Sequence, residues 1–365
     1  MKFECVLERL INSVSLSEKI VGKKESLPVL SCVLIEVGDS INLKATNLET
    51  ALEMKIEGSP IKKGKIAVPA HIFLQTLQST KGDKITIEDE DGNLKIQSKG
   101  GETTIKSIST EEFPSFSEPK NKNEYIINKD VFVNGVQGVS YASSQSMIRP
   151  ELASVYISYD DGKLTFVSTD SFRLAEKKIN TKIKNNIPET LIPTKNALEI
   201  VGIISNLDEE DIHISFDDSQ IGISCKNTKI ISRIIDGNFP NYNEIIPKSF
   251  ITEATLLKDD LLTVLKKTRV FSGVSQQISF HVYPKKKVFS ITARNADVGE
   301  MSDTLEAAVS GDDIDIHFNL NYIQDCIQSL KTDSITLQFA GEGKPLVIKS
   351  VSDQYFTYLV MPLNK

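Results

Sequence analysis

Two periodicities divide this chain. Short runs alternate apolar and polar residues, as in KITIED at 84–89 and DIHISF at 211–216. That period of two marks a strand with one buried face. Other stretches repeat at helical spacing: Leu7, Leu10, Ile11 and Val14; Phe132, Val136 and Val139; Ile323, Ile327 and Leu330. These are core-facing stripes of amphipathic helices. Helices are predicted over 7–24, 70–81, 129–144, 194–206, 258–272 and 319–331, with strands filling most of the remainder. The fold class is α+β, antiparallel sheet with helices lying on one face.

The pattern also recurs at long range. SLPVLSCVLIEVGDSINLKATN (26–47) and IRPELASVYISYDDGKLTFVSTD (148–170) place Pro28 with Pro150, Leu30 with Leu152, Val33 with Val155 and Ile35 with Ile157, a constant offset of 122. QQISFHVYPKKKVFSITARN (276–295) is a fainter third copy. The second halves repeat too: strand, short helix, polar turn, strand at 66–89, 190–218 and 316–339. The first two close on Phe113-Pro114 and Phe239-Pro240. A unit this long is a domain rather than a solenoid repeat. Three similar tandem domains are expected, at 1–120, 121–248 and 249–365, each holding two strand-helix-strand units, with polar linkers at 117–124 and 246–254.

Charge refines this picture. The net charge is −7, which taken as a sum disfavours phosphate binding. The six helical spans, however, carry +5 together and leave −12 to strands and loops. One neutral-to-basic side rich in Asn, Gln and Ser would face a polyanion weakly and in a salt-sensitive way. Helix propensity alone also enriches Lys in helices, so charge by itself leaves both readings open.

Catalytic chemistry is not found. GEGKPL at 341–346 lacks phosphate-loop spacing, and GxGxxG, GxSxG and HExxH are absent. Cys5, Cys32, Cys225 and Cys326 are far apart and read as buried thiols. His71, His213, His281 and His317 are scattered, so neither metal nor cofactor is expected. EDEDG (88–92) and DEED (208–211) read as solvated hairpin turns, and PKKK (284–287) as a turn between two strands, with a phosphate contact the lesser option. Glu4 and Glu8 interrupt the apolar run a signal peptide needs, and no run is long enough for a membrane helix. A cytoplasmic chain without membrane contact is expected.

Two stretches remain conspicuous. TDSFRLA (169–175) occupies the place of TNLETAL (46–52) and ARNADVG (293–299), yet carries Asp170 and Arg173 beside Phe172 and Leu174. YLVMPLNK (358–365) ends a strand on Val360, Met361, Pro362 and Leu363. Apolar residues placed there are either buried or offered to a partner, and Met and Pro suit an adaptable peptide groove.

The three tandem domains, LPVLSCVLIEV, TDSFRLA, DGNFPNY and the terminal YLVMPL, in this order, resemble the bacterial DNA sliding clamp family, the beta subunit of DNA polymerase III. The resemblance covers essentially the whole chain. It implies the DNA clamp fold: a head-to-tail ring of two chains, sheets outside and two helices per domain inside, around sequence-independent double-stranded DNA. It implies a replication processivity factor without catalysis, which tethers the replicative polymerase. The clamp-loader ATPase and repair proteins would bind through the same short linear motifs.

The partner groove carried over by position comprises Leu152, Thr169, Ser171, Phe172, Arg173, Leu174, Pro240, Ile245, Val360, Met361, Pro362 and Leu363, with Arg173 presenting a charge or packing along it. DNA-facing candidates are Lys24, Lys23, Lys19, Arg149, Lys266 and Lys267. For the dimer contact, the resemblance implies an edge strand at 104–109, with Lys106 and Ile108, meeting Val270 and Phe271 of a second copy. The chain departs from the family in carrying Ser171-Phe172 where Gly-His is common and Glu244 where a basic residue is common. Lys106 likewise replaces a frequent aromatic. Two other classes stay open on the residues alone: a hydrolase using Asp170 and Arg173, and a repeat scaffold without DNA.

Overall fold

Antiparallel ladders organise the chain throughout. The computed structural model describes residues 1–22, 27–120, 124–183 and 187–363. Lys23 and Lys24 lie outside the described residues. Among those residues are six helices: α1 (Leu7–Glu18), α2 (Ala70–Ser79), α3 (Lys129–Val139), α4 (Thr194–Ile204), α5 (Lys258–Phe271) and α6 (Leu320–Ser329). All six fall within the predicted spans. α1 ends six residues early, at Glu18, because the peptide N–H of Lys19 turns back to Leu16 and Ser17.

The chain divides into two compact units. The first contains Met1–Val133 and Lys195–Asp236. Its five-stranded sheet runs Gly58–Lys62, Lys2–Val6, Lys84–Glu90, Asn93–Ser98, Gly101–Lys106. Its eight-stranded sheet runs Glu124–Asn128, Asp211–Phe216, Gln220–Cys225, Thr228–Arg233, Thr50–Ile56, Ile41–Thr46, Cys32–Val37, Gly64–Pro69. The join between distant segments is a full ladder, with Ile230 opposite Leu52 and Ile231 opposite Ala51. α1 packs on α2, burying Leu10, Val14, Phe73 and Leu77.

The second unit contains Asn134–Lys182, the strand before α4, and the chain from Gly237 onward. Its nine-stranded sheet runs Thr190–Pro193, Ser154–Asp160, Lys163–Thr169, Arg173–Asn180, Phe356–Val360, Leu346–Ser350, Ser334–Phe339, Thr252–Leu257, Ala307–Gly311. The predicted linker at 246–254 is therefore shorter, since a strand starts at Thr252. A four-stranded sheet runs Gly299–Leu305, Val288–Asn295, Gln277–Tyr283, Ile314–Asn319. α5 packs on α6. Asp259 and Asp260 open α5 and Arg269 closes it, each sign favoured by the helix dipole. Asn319 caps α6 by accepting the Asn321 N–H at 2.9 Å.

The turn chemistry is local. Asp91 and Gly92 both take positive φ, 52° and 76°, between two strands, as a two-residue hairpin requires. DEED is not a hairpin; it connects α4 to the strand at Asp211–Phe216. All four cysteines are buried free thiols. Burial pushes Cys5 up to about 12 and Cys225 up to about 11, where thiolate chemistry is suppressed at neutral pH. Gly135 in α3 lies against Phe166, and any Cβ there would overlap the ring, so this helix position is restricted to glycine by packing rather than by backbone angle.

Candidate functional site

TDSFRLA forms a tight turn whose polar side chains close on its own backbone. Thr169 Oγ1 donates to the Arg173 carbonyl at 2.6 Å and accepts from the Ser171 N–H at 3.2 Å. Asp170 Oδ1 accepts from the N–H groups of Phe172 and Arg173 at 2.9 and 3.0 Å. Ser171 sits at φ 76°, unusual for a residue with a side chain. The first repeat builds the same turn: Thr46 bonds the Thr50 carbonyl and Leu48 N–H, Asn47 Oδ1 accepts from Glu49 and Thr50, and Leu48 has φ 74°. Asp or Asn at this place is a turn-former acting through backbone capping.

What distinguishes the second copy is Arg173. Its side chain is buried, with Nε donating to Asp170 Oδ2 at 3.0 Å and Nη1 to Asp325 Oδ2 of α6 at 2.7 Å. The guanidinium lies over the Tyr322 ring, 4.4 Å from its centroid. Burial opposes the charge, but Asp325 and Asp170 overcome it and hold the pKa above the ordinary arginine value. The Arg173 charge is satisfied inward, by groups 3 and 152 residues away, rather than standing free in solvent.

The C-terminal segment runs beside this turn. Arg173 pairs with Val360 across the sheet. Met361 N–H donates to the Phe172 carbonyl at 2.8 Å, and Leu363 N–H to the His317 carbonyl at 2.8 Å. Beneath lies a cluster of Val167, Leu174, Tyr242 and Leu359, with Tyr156, Phe239 and Ile246 packed against it. Phe239 stacks on Tyr156 at 4.8 Å and 7°. Tyr242 OH donates to buried Glu176 at 2.7 Å; burial first, then the Glu176 charge, drives that phenol's pKa upward. The FPNY segment is thereby pinned to the sheet, and its Pro240 and Ile245 stay exposed.

The predicted groove residues therefore split into two groups. Leu152, Thr169, Arg173, Leu174 and Val360 are buried. Ser171, Phe172, Pro240, Ile245 and Met361 are exposed, and Pro362 and Leu363 half-buried. Phe172 at 61% and Ile245 at 51% exposure are large apolar groups without cover. Sequence reasoning missed Tyr322, Asp325 and Tyr242; the register of the repeats carries no signal for the two α6 residues.

The other predicted positions are more scattered. In the first unit, Lys19 Nζ bonds the Gly202 carbonyl at 2.8 Å. The expected edge strand at 104–109 ends at Lys106, which is exposed on the sheet edge. Ile108 instead bridges to Ala67 and packs with Cys32 and Leu34, so much of it is used within its own unit. In the second unit, Arg149 pairs with Glu151 at 3.0 Å and Lys267 with Asp303 at 2.7 Å, whereas Lys266 is exposed. Val270 is 59% exposed and Phe271 half-buried at the end of α5. No cluster of His, Cys, Asp or Glu able to hold a metal occurs among the described residues.

Comparison with known proteins decides the family. Three family models match end to end: the N-terminal domain of the DNA polymerase III beta subunit over residues 1–117, the central domain over 126–241 and the C-terminal domain over 243–364. The chain belongs to the DNA polymerase III beta subunit family. Among curated relatives, a beta sliding clamp of Synechococcus elongatus is 24% identical over 372 residues, covering 100% of this chain and 99% of that one. A beta sliding clamp of Chlamydia pneumoniae is 26% identical, with 100% of both covered. Among solved structures, the DNA polymerase III beta subunit of Thermotoga maritima superposes with TM-score 0.94 at 23% identity over 100% of this chain and 99% of that one. The Streptococcus pneumoniae beta chain gives 0.94 at 23% over 100% of both. The α+β architecture is the one expected from the periodicities, and the clamp fold the one the resemblance implied.

Proposed function

We infer that this chain is a DNA sliding clamp, a replication processivity factor and non-catalytic subunit of a polymerase holoenzyme. The observation that carries this is the ordered match of all three beta-subunit domain models along one chain. In this reading residues 1–120, 121–248 and 249–365 are the three clamp domains. Two copies close head to tail around duplex DNA in the cytoplasm, the edge strand at Gly101–Lys106 of one meeting the region of Val270 and Phe271 of the other. The exposed apolar groups around the 169–175 turn and the C-terminal tail receive short linear motifs of the replicative polymerase, the loader ATPase and repair proteins. The hydrolase alternative loses its chemistry, since Asp170 and Arg173 are bonded to the turn and to α6. Among described residues no helix is long and apolar enough to cross a membrane.

Sedimentation at micromolar concentration is expected to give about twice the 40.5 kDa chain mass, with a central opening in negative-stain images. A monomer without an opening would sink the ring.

A second expectation concerns DNA. Lys266 is exposed with no side-chain partner among the described residues, whereas Lys267 is bound to Asp303. Lys266→Ala should flatten the slope of log affinity against log salt by about 0.9 for each chain of the ring that makes the contact, the share of one released phosphate counterion. Lys267→Ala should change it less, because that ammonium already has a carboxylate. An unchanged salt slope for Lys266→Ala would count against Lys266 as a contact.

A further inference from the structure

The groove combines exposed apolar groups with an uneven charge, and the imbalance is visible only once Arg173 is placed. Its guanidinium lies between Asp170 and Asp325, so that three-residue cluster carries a net negative charge instead of the positive one TDSFRLA implies in sequence. Glu244 adds a second negative charge. It stands exposed in the short 3₁₀ turn Asn243–Ile245, with Asn241 Nδ2 donating to it at 2.8 Å, directly after the Tyr242 that anchors this segment beneath the groove.

Most neighbouring charges are paired and do not offset these, and the exposed Lys248, four residues past Glu244, still leaves the sum negative. Glu176 is paired with Lys178 at 3.0 Å, Arg149 with Glu151 at 3.0 Å, and Lys177 with Asp353. The strand and tail from Phe356 to Leu363 contribute no charged side chain. On the neighbouring strand Asp315 is engaged by His281 and Tyr283. The groove wall formed by the turn, α6 and the 239–246 segment is therefore apolar with a net negative rim.

We propose that this groove selects partner segments whose apolar anchors are flanked by basic residues and discriminates against acidic flanks, with Asp325 as the positioning residue that sets this preference. The proposal rests on the groove reading above and adds the chemistry of the occupant. Asp325 acts through Arg173. It holds the guanidinium over Tyr322 and away from solvent, fixing the turn that displays Phe172 and cancelling the one cation the turn possesses. The effect is electrostatic, so it should fade as salt shortens the Debye length from about 10 Å at 0.1 M toward about 3 Å at 1 M.

The test uses the full-length chain and two fluorescein-labelled synthetic peptides sharing one apolar Leu/Phe core, one flanked by lysines and the other by aspartates. Fluorescence anisotropy at low salt should show the lysine-flanked peptide binding about tenfold tighter, with the ratio collapsing near 1 M salt. Glu244→Lys should shrink that ratio without altering the turn. Asp325→Asn, close in shape, should shrink it by strengthening the aspartate-flanked peptide, because Arg173 loses a counter-charge. Weakening of both peptides alike by Asp325→Asn would mean a purely structural role and overturn the assignment of Asp325. Equal binding of the two peptides to the unaltered chain would overturn charge selection and leave the groove standing. Failure of both to bind a chain that melts normally would overturn the groove, and this inference with it.

Discussion

Truncation after Val360 is expected to abolish capture of apolar partner segments while leaving the fold intact. The reason lies in where the strand ends. Val360 is fully buried and pairs with both Arg173 and Leu346, so the sheet keeps its last rung. Met361 and Leu363 add two backbone bonds, to Phe172 and His317, and place one exposed and one half-buried apolar side chain next to the turn. Removing them deletes one wall and frees the Phe172 carbonyl that holds the turn against it. Loss of a central apolar anchor typically costs about 2 kcal/mol or more, so binding of a labelled motif peptide should weaken by about 30-fold or more. Thermal unfolding should move little, since none of Met361, Pro362 and Leu363 is fully buried. Unchanged peptide affinity would place the partner site elsewhere on the chain.

A comparably large effect on stability is expected in the second unit's core. Phe280 is fully buried and meets Phe289 and Phe318 at 5.5 Å and Phe339 at 6.5 Å between ring centroids. It stands in the four-stranded sheet, and Phe339 in the nine-stranded one, so this side chain joins the two layers. Phe280→Ala leaves a cavity that rigid neighbours cannot collapse into, at about 3–5 kcal/mol. The edge-to-face contacts with Phe289 and Phe339 add to the loss. Calorimetry should show the unfolding temperature falling by roughly 10 °C. Phe280→Leu, which keeps most of the volume, should cost far less. A shift under about 2 °C for the alanine variant would show that the cluster is not a shared core.

Much of the architecture is legible from spacing. The stripe Leu7, Leu10 and Val14 is buried in α1, and Ile323 and Ile327 in α6. The alternation in KITIED and DIHISF corresponds to strands with one buried face. Thr46-Asn47 and Thr169-Asp170 make the same turn because their side chains bond their own backbone, a preference carried by four or five consecutive residues. Helix ends are less legible. Basic residues continue the helical pattern past Glu18, but a helix ends where the backbone finds better partners, not where the pattern stops.

Periodicity thus determined the six helices and the alternating strands, and local residue choice the turn at 169–173, since each depends on residues within a few positions of one another, while the repeat is legible because the same local patterns return at a fixed offset. The tertiary structure decided what the turn's charge is for. Whether Arg173 faces solvent or the interior depends on Asp325 and Tyr322, which reach it only because the Arg173 strand pairs with the strand at Phe356–Val360 and α6 packs on that strand. Tyr242 and Glu176 meet in the same way across 66 residues. A buried charge is stable only beside its counter-charge, and that proximity is a property of the packed sheet rather than of any spacing along the chain.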